Sequence, residues 1–355
     1  MSAPSVFIVL VGGYGNIGDA VIRRRSLEAF RGLGPVHAYV GNAPADWIDQ
    51  IGLDALNDTI YDASQSRRWV RNMASNRGRK VLVLDPGEVL LTKRQLPKEL
   101  GFLAMTILAR ASGAEVLRMP RAVRSPSPMV TSVHRLACRF SNLVLWREKA
   151  SLDLIGRGTL VADIAFTEPV DEKEFDRGLM VVSMRGPRQF PNTAWFEGVL
   201  LAAAQLRLQL VVVSQVREDE IRGEQIARRL PGAVFQPWGE RSDAGQERFV
   251  RTLYDRASLV VSDRLHALIL GLLHGAGVAE VVPQPSGKAA SHFATIGDED
   301  VSRNSMATSP EDIASFLSER VRTKDEARLR VENARLELER ELLFAQAHAV
   351  GQGGK

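Results

Sequence analysis

The sequence predicts an α/β protein of two Rossmann-like domains, each built on a parallel sheet, the two sheets facing a cleft. Three observations predict it. Short apolar runs alternate with helical stretches along nearly the whole chain, the pattern of strands joined by helical crossovers. The alternation is interrupted once, at the polar, proline-containing Thr167-Glu168-Pro169-Val170-Asp171-Glu172-Lys173, and then restarts. At 355 residues the chain also exceeds what one core usually supports. The division that follows is a first domain at 1–168, a linker at 169–177, a second domain at 178–321, and a charged C-terminal helix and tail at 322–355.

Taken in order, residues 6–11, 36–40, 81–84, 114–119 and 142–146 read as the strands of the first sheet. Those of the second lie at 179–183, 208–214, 233–236, 259–262 and 278–282. Ser309-Pro310-Glu311-Asp312 opens a helix, with an N-cap residue, a proline at the first helical position and two acids in the first turn. In the last helix Leu329, Ala334, Leu336, Leu342, Leu343 and Ala345 form an irregular apolar stripe, suited to docking on this chain or on a second copy in a homodimer rather than to membrane insertion.

A 45% hydrophobic, 25% charged composition is that of an ordinary globular protein and excludes a disordered class. Lys and Arg number 46 against 42 Asp and Glu, so the net charge is +4, a mild bias that suits anionic small molecules or peripheral contact with a membrane face better than nucleic acid. The basic clusters Arg23-Arg24-Arg25, Arg67-Arg68 with Arg71, and Arg77 with Arg79-Lys80 read as solvated faces. One cysteine, Cys138, allows no intrachain disulfide and fits a cytoplasmic location. The apolar run 6–11 is too short for a signal sequence or a membrane span. His266 and His274 lack the i, i+4 spacing and acidic partners of a metal site, so no metal is expected.

The chemistry concentrates at Ser262-Asp263-Arg264-Leu265-His266, where a strand ends and an apolar helix begins. The unpaired amides of a first helical turn, here including that of Leu265, favour an anion, and Arg264 adds a planar fork of donors for phosphate or carboxylate. His266 adds a proton that moves near neutral pH. Near the start, Gly13-Tyr14-Gly15-Asn16-Ile17-Gly18 is literally a GxGxxG after a strand, which raises a nicotinamide-dinucleotide-binding oxidoreductase as one reading. Residues 36–42 supply no acid for the ribose hydroxyls, and Asp19 would put a negative charge where a pyrophosphate should lie. Asp19 fits better as an N-cap, with Asn16 shaping the turn, in a loop meeting neutral sugar hydroxyls or the facing domain.

These segments together resemble the polysaccharide pyruvyl transferase family. Arg264-Leu265-His266 within a helix end, strand, helix and strand leading to Lys288 is similar to its C-terminal signature, and Gly15-Asn16-Ile17-Gly18-Asp19 to its glycine loop. Arg147-Glu148-Lys149-Ala150-Ser151, Asp163-Ile164-Ala165-Phe166 and Ser183-Met184-Arg185 are similar to its inner elements. Asp85-Pro86-Gly87-Glu88 departs from the family, standing where it usually carries glycines; proline removes a donor and two carboxylates are added. The family's Gly-Ile-Gly-Pro stretch is also altered, at Arg121 to Pro126, and its tyrosine before Lys288 is missing.

The resemblance implies a GT-B-like arrangement and transfer of pyruvyl from phosphoenolpyruvate, with no further cofactor, to a saccharide acceptor that is either free in a polysaccharide or lipid-linked. Arg185 and Arg264, with Leu265 and Lys288, would hold the donor on the second domain, and His266 would be the acid. Gly15, Asn16, Asp19, Asp85 and Glu88 would face the acceptor on the first domain, with Asp19, Asp85 and Glu88 as alternative bases. Glycosyl transfer from a nucleotide sugar is the competing enzyme class, because the same two-domain architecture serves it.

Overall fold

The computed structural model describes residues 3–84, 86–170 and 175–350. They form two compact units. The first contains the chain up to Tyr14, Asp19–Ile164 and everything from Ala334 on; the second contains Gly15–Gly18 and Ala165–Asn333.

The first unit carries β1 (Ser5–Val9), β2 (Val36–Gly41), β3 (Asp58–Asp62), β4 (Lys80–Leu84), β5 (Gly87–Leu90), β6 (Glu115–Arg124), β7 (Leu143–Trp146) and β8 (Thr159–Leu160). Their order is β3-β2-β1-β4-β6-β7-β8, with β5 also paired to β6, and every pairing is parallel. The second unit carries β9 (Leu179–Ser183), β10 (Gln209–Val213), β11 (Val234–Gln236), β12 (Ala257–Ser262), β13 (Gly277–Val282) and β14 (Ser302–Asn304). These run in the order β11-β10-β9-β12-β13-β14, again all parallel. Both are doubly wound sheets. In each, the order reverses beside the first strand, between β1 and β4 and between β9 and β12, and ligands of such sheets bind outside the carboxyl ends of the strands at that switch point.

The central strands β4 and β9 are buried along their whole length, as strands covered by helices on both faces must be. In the second unit Trp195, Phe196, Val199, Ile313 and Leu317 pack over the sheet, each such side chain contributing about 1.5–3 kcal/mol by leaving water. Helices Thr193–Leu206 and Pro310–Arg322 approach so closely that a Cβ on Gly198 would lie 2.6 Å from Ile313. The Ser309 hydroxyl caps the second of these, accepting from the Asp312 amide at 3.1 Å.

The structure departs from the sequence expectations in several places. Four strands, β3, β5, β8 and β14, are too short or too polar to be read from apolar runs. Gly87 and Glu88 lie in β5 rather than a loop, opposite Arg121 and Ala122 of a β6 that continues to Arg124. Part of the expected linker lies outside the described residues. By contacts the second unit begins at Ala165, earlier than expected, and Phe166 packs edge-on against Phe293. Arg177, at the end of that linker, is tied down by the carbonyls of Ala257 (2.9 Å) and His274 (2.6 Å).

Two members of the basic clusters are not solvated. Arg23 is buried, held by the Val11 carbonyl (2.7 Å) and the Asp19 carboxylate (2.8 Å), and Lys80 is buried with its ammonium on the Asn76 carbonyl (2.5 Å). In the last helix, Lys324–Ala349, Ala334, Leu342 and Ala345 are buried together with Ala327, Val331 and Leu338, while Leu329, Leu336 and Leu343 face solvent. The expected stripe is thus two faces. Among the described residues no helix is long and apolar enough to cross a membrane.

Candidate functional site

The second sheet's switch point gathers the site. β9 ends at Ser183, and Met184 and Arg185 leave it; β12 ends at Ser262, and Asp263 and Arg264 lead into the helix Leu265–Leu273. Buried Asp263 joins the two strand ends by accepting the Arg185 amide at 2.7 Å. Ser262 donates to the Ser183 carbonyl and accepts the Arg264 amide at 3.0 Å. Arg264 is the N-cap residue, in extended backbone conformation, and Leu265 is buried at the head of the first turn, where helix amides have no intrahelical acceptor.

Three guanidiniums meet here. Arg264 donates its Nε to buried Asp219, whose other oxygen accepts the Gly186 amide at 2.8 Å. Arg188 has Nε 3.6 Å from Asp263 and Nη1 3.5 Å from Glu280, and donates Nη2 to Ser286 at 3.1 Å. The buried Nε of Arg185 has no hydrogen-bond partner among the described residues. Burial, then the neighbouring charges of Arg264 and Arg188, push the Arg185 guanidinium below its ordinary pKa. Burial likewise pushes Asp263 up, against the opposing pull of the Arg185 amide and the three arginines. Glu280 is also raised by burial, against a hydrogen bond from Ser302 and the charge of Arg188. A buried donor left unmade costs about 1–3 kcal/mol, so Arg185 is left with an unmet need for an acceptor.

His266 occupies the second position of the same helix. Its imidazole lies against Gly18: a Cβ there would sit 2.1 Å from Nδ1. The glycine loop is fixed to the second unit, contrary to its expected place on the first. Gly15 donates to Asp243 at 3.1 Å, Asn16 forms an antiparallel bridge with Val216, and Ile17 donates to the Gln215 carbonyl at 3.4 Å. The Asn16 side chain accepts the Gly18 amide at 3.1 Å, which shapes the turn as expected. Lys288 opens the helix Lys288–Phe293, and its amide reaches Ser286 (3.4 Å), the serine that Arg188 also holds.

Asp19 and Glu88 lie in the first unit. Asp19 is not an N-cap, because the helix already begins at Ile17; its carboxylate accepts the Gly13 amide (3.2 Å) and pairs with Arg23. Glu88 pairs with Arg124 at 3.2 Å, and Arg124 in turn with Glu148 at 2.6 Å. Asp85 lies outside the described residues. The family-like elements of the middle of the chain act as pins: Arg147 and Asp163 form a buried pair at 2.5 Å, and Ser151 donates to Glu148 at 2.6 Å while accepting the Val123 amide. His274 belongs to a separate pair with Asp255 (2.6 Å). Among the described residues no group of three or more His, Cys, Asp or Glu side chains is placed to hold a metal ion.

Sequence reasoning missed Arg188, Asp219 and Glu280. Arg188 could have been found from the Arg185-x-x-Arg188 spacing after a strand; the two acids come from distant segments.

Fold and site together define a doubly wound α/β protein with a cluster of three arginines at the switch point of its second sheet. The sequence model of the polysaccharide pyruvyl transferase family matches residues 16–278, and the chain belongs to that family. A comparison with curated protein sequences finds no match. Solved structures of similar fold include UDP-GlcNAc 2-epimerase from Neisseria meningitidis bound to UDP-GlcNAc (TM-score 0.57, 10% identity, 96% of this chain and 99% of that one). A glycosyltransferase from Rickettsia africae is comparable (TM-score 0.55, 10% identity, 99% and 100%). So is Anabaena HepE in complex with UDP and glucose (TM-score 0.54, 12% identity, 99% of each chain). The fold is GT-B-like.

Proposed function

We propose that this transferase moves the pyruvyl group of phosphoenolpyruvate onto two hydroxyls of one sugar in a polysaccharide or its lipid-linked precursor, forming a ketal. The observation that carries this reading is the convergence of Arg185, Arg188 and Arg264 on the switch point beside His266. Phosphoenolpyruvate has two anionic groups, and a cluster of three guanidiniums suits a phosphate and a carboxylate held together. Lys288 adds a point charge from the turn next to Arg188.

The enol carbon gains two C–O bonds to the sugar and loses its bond to phosphate. One hydroxyl proton ends on the methylene, which becomes a methyl, and the other leaves with phosphate. His266 delivers the methylene proton, while Asp19, Asp85 or Glu88 takes a proton from the acceptor. The arginines stabilise the charge that departs with phosphate. No cofactor or metal enters this balance. The exposed Leu329, Leu336 and Leu343, seven residues apart, support self-association through the last helix.

The test is thermal-shift titration with phosphoenolpyruvate against UDP, GDP and NAD, followed by phosphate release with candidate saccharides. Stabilisation by phosphoenolpyruvate and acceptor-dependent phosphate release are expected. Stabilisation by UDP or GDP without it would replace this reading by glycosyl transfer.

A further inference from the structure

The helices Leu96–Ala111 and Pro128–Arg139 of the first unit pack against one another, and each turns an apolar face to solvent. On the first helix the exposed positions Pro97, Leu100, Gly101, Ala104, Leu108 and Ala111 recur at three- and four-residue spacing, so they form one stripe, with Ile107 at its border. On the second, Met129 and Leu136 are exposed, as is Phe140 just past its end. Leu100, Ile107, Leu108, Met129, Leu136 and Phe140 are each between 39% and 55% exposed, well beyond the isolated apolar residue of an ordinary surface.

The exposed charges of the two helices themselves are basic, and one of them, Arg110, pairs with Glu115 just beyond the first helix at 3.5 Å. Lys93, Arg94, Lys98 and Arg139 are exposed on the two helices and on the turn Lys93–Gln95 that precedes the first. The helices' single acid, Glu99, is buried and bound to His134 at 2.7 Å, so it does not offset them.

From this combination we infer that the surface docks on an anionic phospholipid bilayer. Apolar helix faces enter the boundary between headgroups and acyl chains, and the flanking lysines and arginines stay among the phosphates. A second copy of the chain fits less well, because a two-fold contact sets the same patch against itself and would bring cations onto cations. Nucleic acid would satisfy the cations but leave the leucines, isoleucine and methionine against phosphate. The site at Arg264 plays no part in this argument, so the inference stands apart from the proposed reaction.

The experiment is co-sedimentation of the full chain with vesicles of phosphatidylglycerol and phosphatidylcholine against phosphatidylcholine alone. Binding to the anionic vesicles should be about tenfold stronger or more, and should fall with added salt. Leu100→Gln/Ile107→Gln and, separately, Lys93→Gln/Arg94→Gln/Arg139→Gln should each lose most of it while keeping the wild-type circular dichroism spectrum and Tm. Equal binding to neutral vesicles, or either variant sedimenting like wild type, would overturn the inference. So would concentration-dependent self-association that disappears in Leu100→Gln/Ile107→Gln, which would assign the face to a second copy.

Discussion

Asp219 holds Arg264 by its Nε and, through its other carboxylate oxygen, holds the Gly186 amide in the loop that follows β9. One buried acid from a distant turn therefore sets the pose of the arginine that caps the helix after β12 and of the backbone next to Arg185. With Nε committed, the two terminal nitrogens of Arg264 are the ones left for an anion. Asp219→Asn should weaken phosphoenolpyruvate binding by about 1–2 kcal/mol, on the order of tenfold in Kd, because a neutral amide orients the guanidinium less firmly. In the Arg264→Ala background the same change should cost much less, since the two residues act as a unit. Isothermal titration of the four proteins checks this; additive losses would mean that Asp219 does not act through Arg264.

Gly18 makes a second prediction. There is no room for a Cβ between residue 18 and the His266 ring, so Gly18→Ala must displace the imidazole. If His266 is the acid, turnover should fall by roughly 10²-fold, within the range a positioned general acid supplies, with the donor Kd little changed. The double variant with His266→Gln should be no slower than His266→Gln alone. A Gly18→Ala enzyme with ordinary turnover in the phosphate-release assay would remove His266 from the mechanism.

Legibility in the sequence followed sequence distance. The strands β1, β4, β9 and β12 were visible because they are buried on both faces and so are almost continuously apolar. Arg185, Arg264 and His266 were visible because each lies next to such a strand. β3, with only Ile60 and Tyr61 apolar among its five residues, and the two-residue β8 carry no such pattern. The buried state of Arg23 was hidden because its partners, the Val11 carbonyl and Asp19, are brought together only when the helix packs back on β1. Likewise nothing near Gly15 or Gly18 announces that the glycine loop belongs with Asp243 and His266, more than 220 residues away.

Glu88 offers a third test. On β5 it pairs with Arg124 near the surface, with side-chain exposures of 36% and 26%, so the pair should contribute no more than about 1 kcal/mol to stability. Glu88→Gln should therefore leave the Tm nearly unchanged. If this strand faces the acceptor, steady-state kinetics should show a raised acceptor KM or a lowered kcat, with an unaltered donor Kd. Weakened donor binding with unchanged acceptor kinetics would place Glu88 on the donor side.

The last prediction concerns pH. His274 is buried, and burial pushes its pKa below the ordinary histidine value; its hydrogen bond to Asp255 pulls the other way, and the charge of Arg251 adds to the depression. The folded protein thus holds this proton less readily than the unfolded chain does. The sign follows from linkage: the contribution to stability is fully present above the unfolded histidine pKa, about 6.5, and is lost as pH falls through the lower folded value. His274→Gln can still donate toward Asp255 but does not titrate. The Tm advantage of wild type over this variant should accordingly be largest near pH 7.5 and should shrink steadily towards pH 5. Tm measured for both proteins across that range decides the matter, and an advantage that stays constant or grows on acidification would show that His274 is not held neutral in the fold.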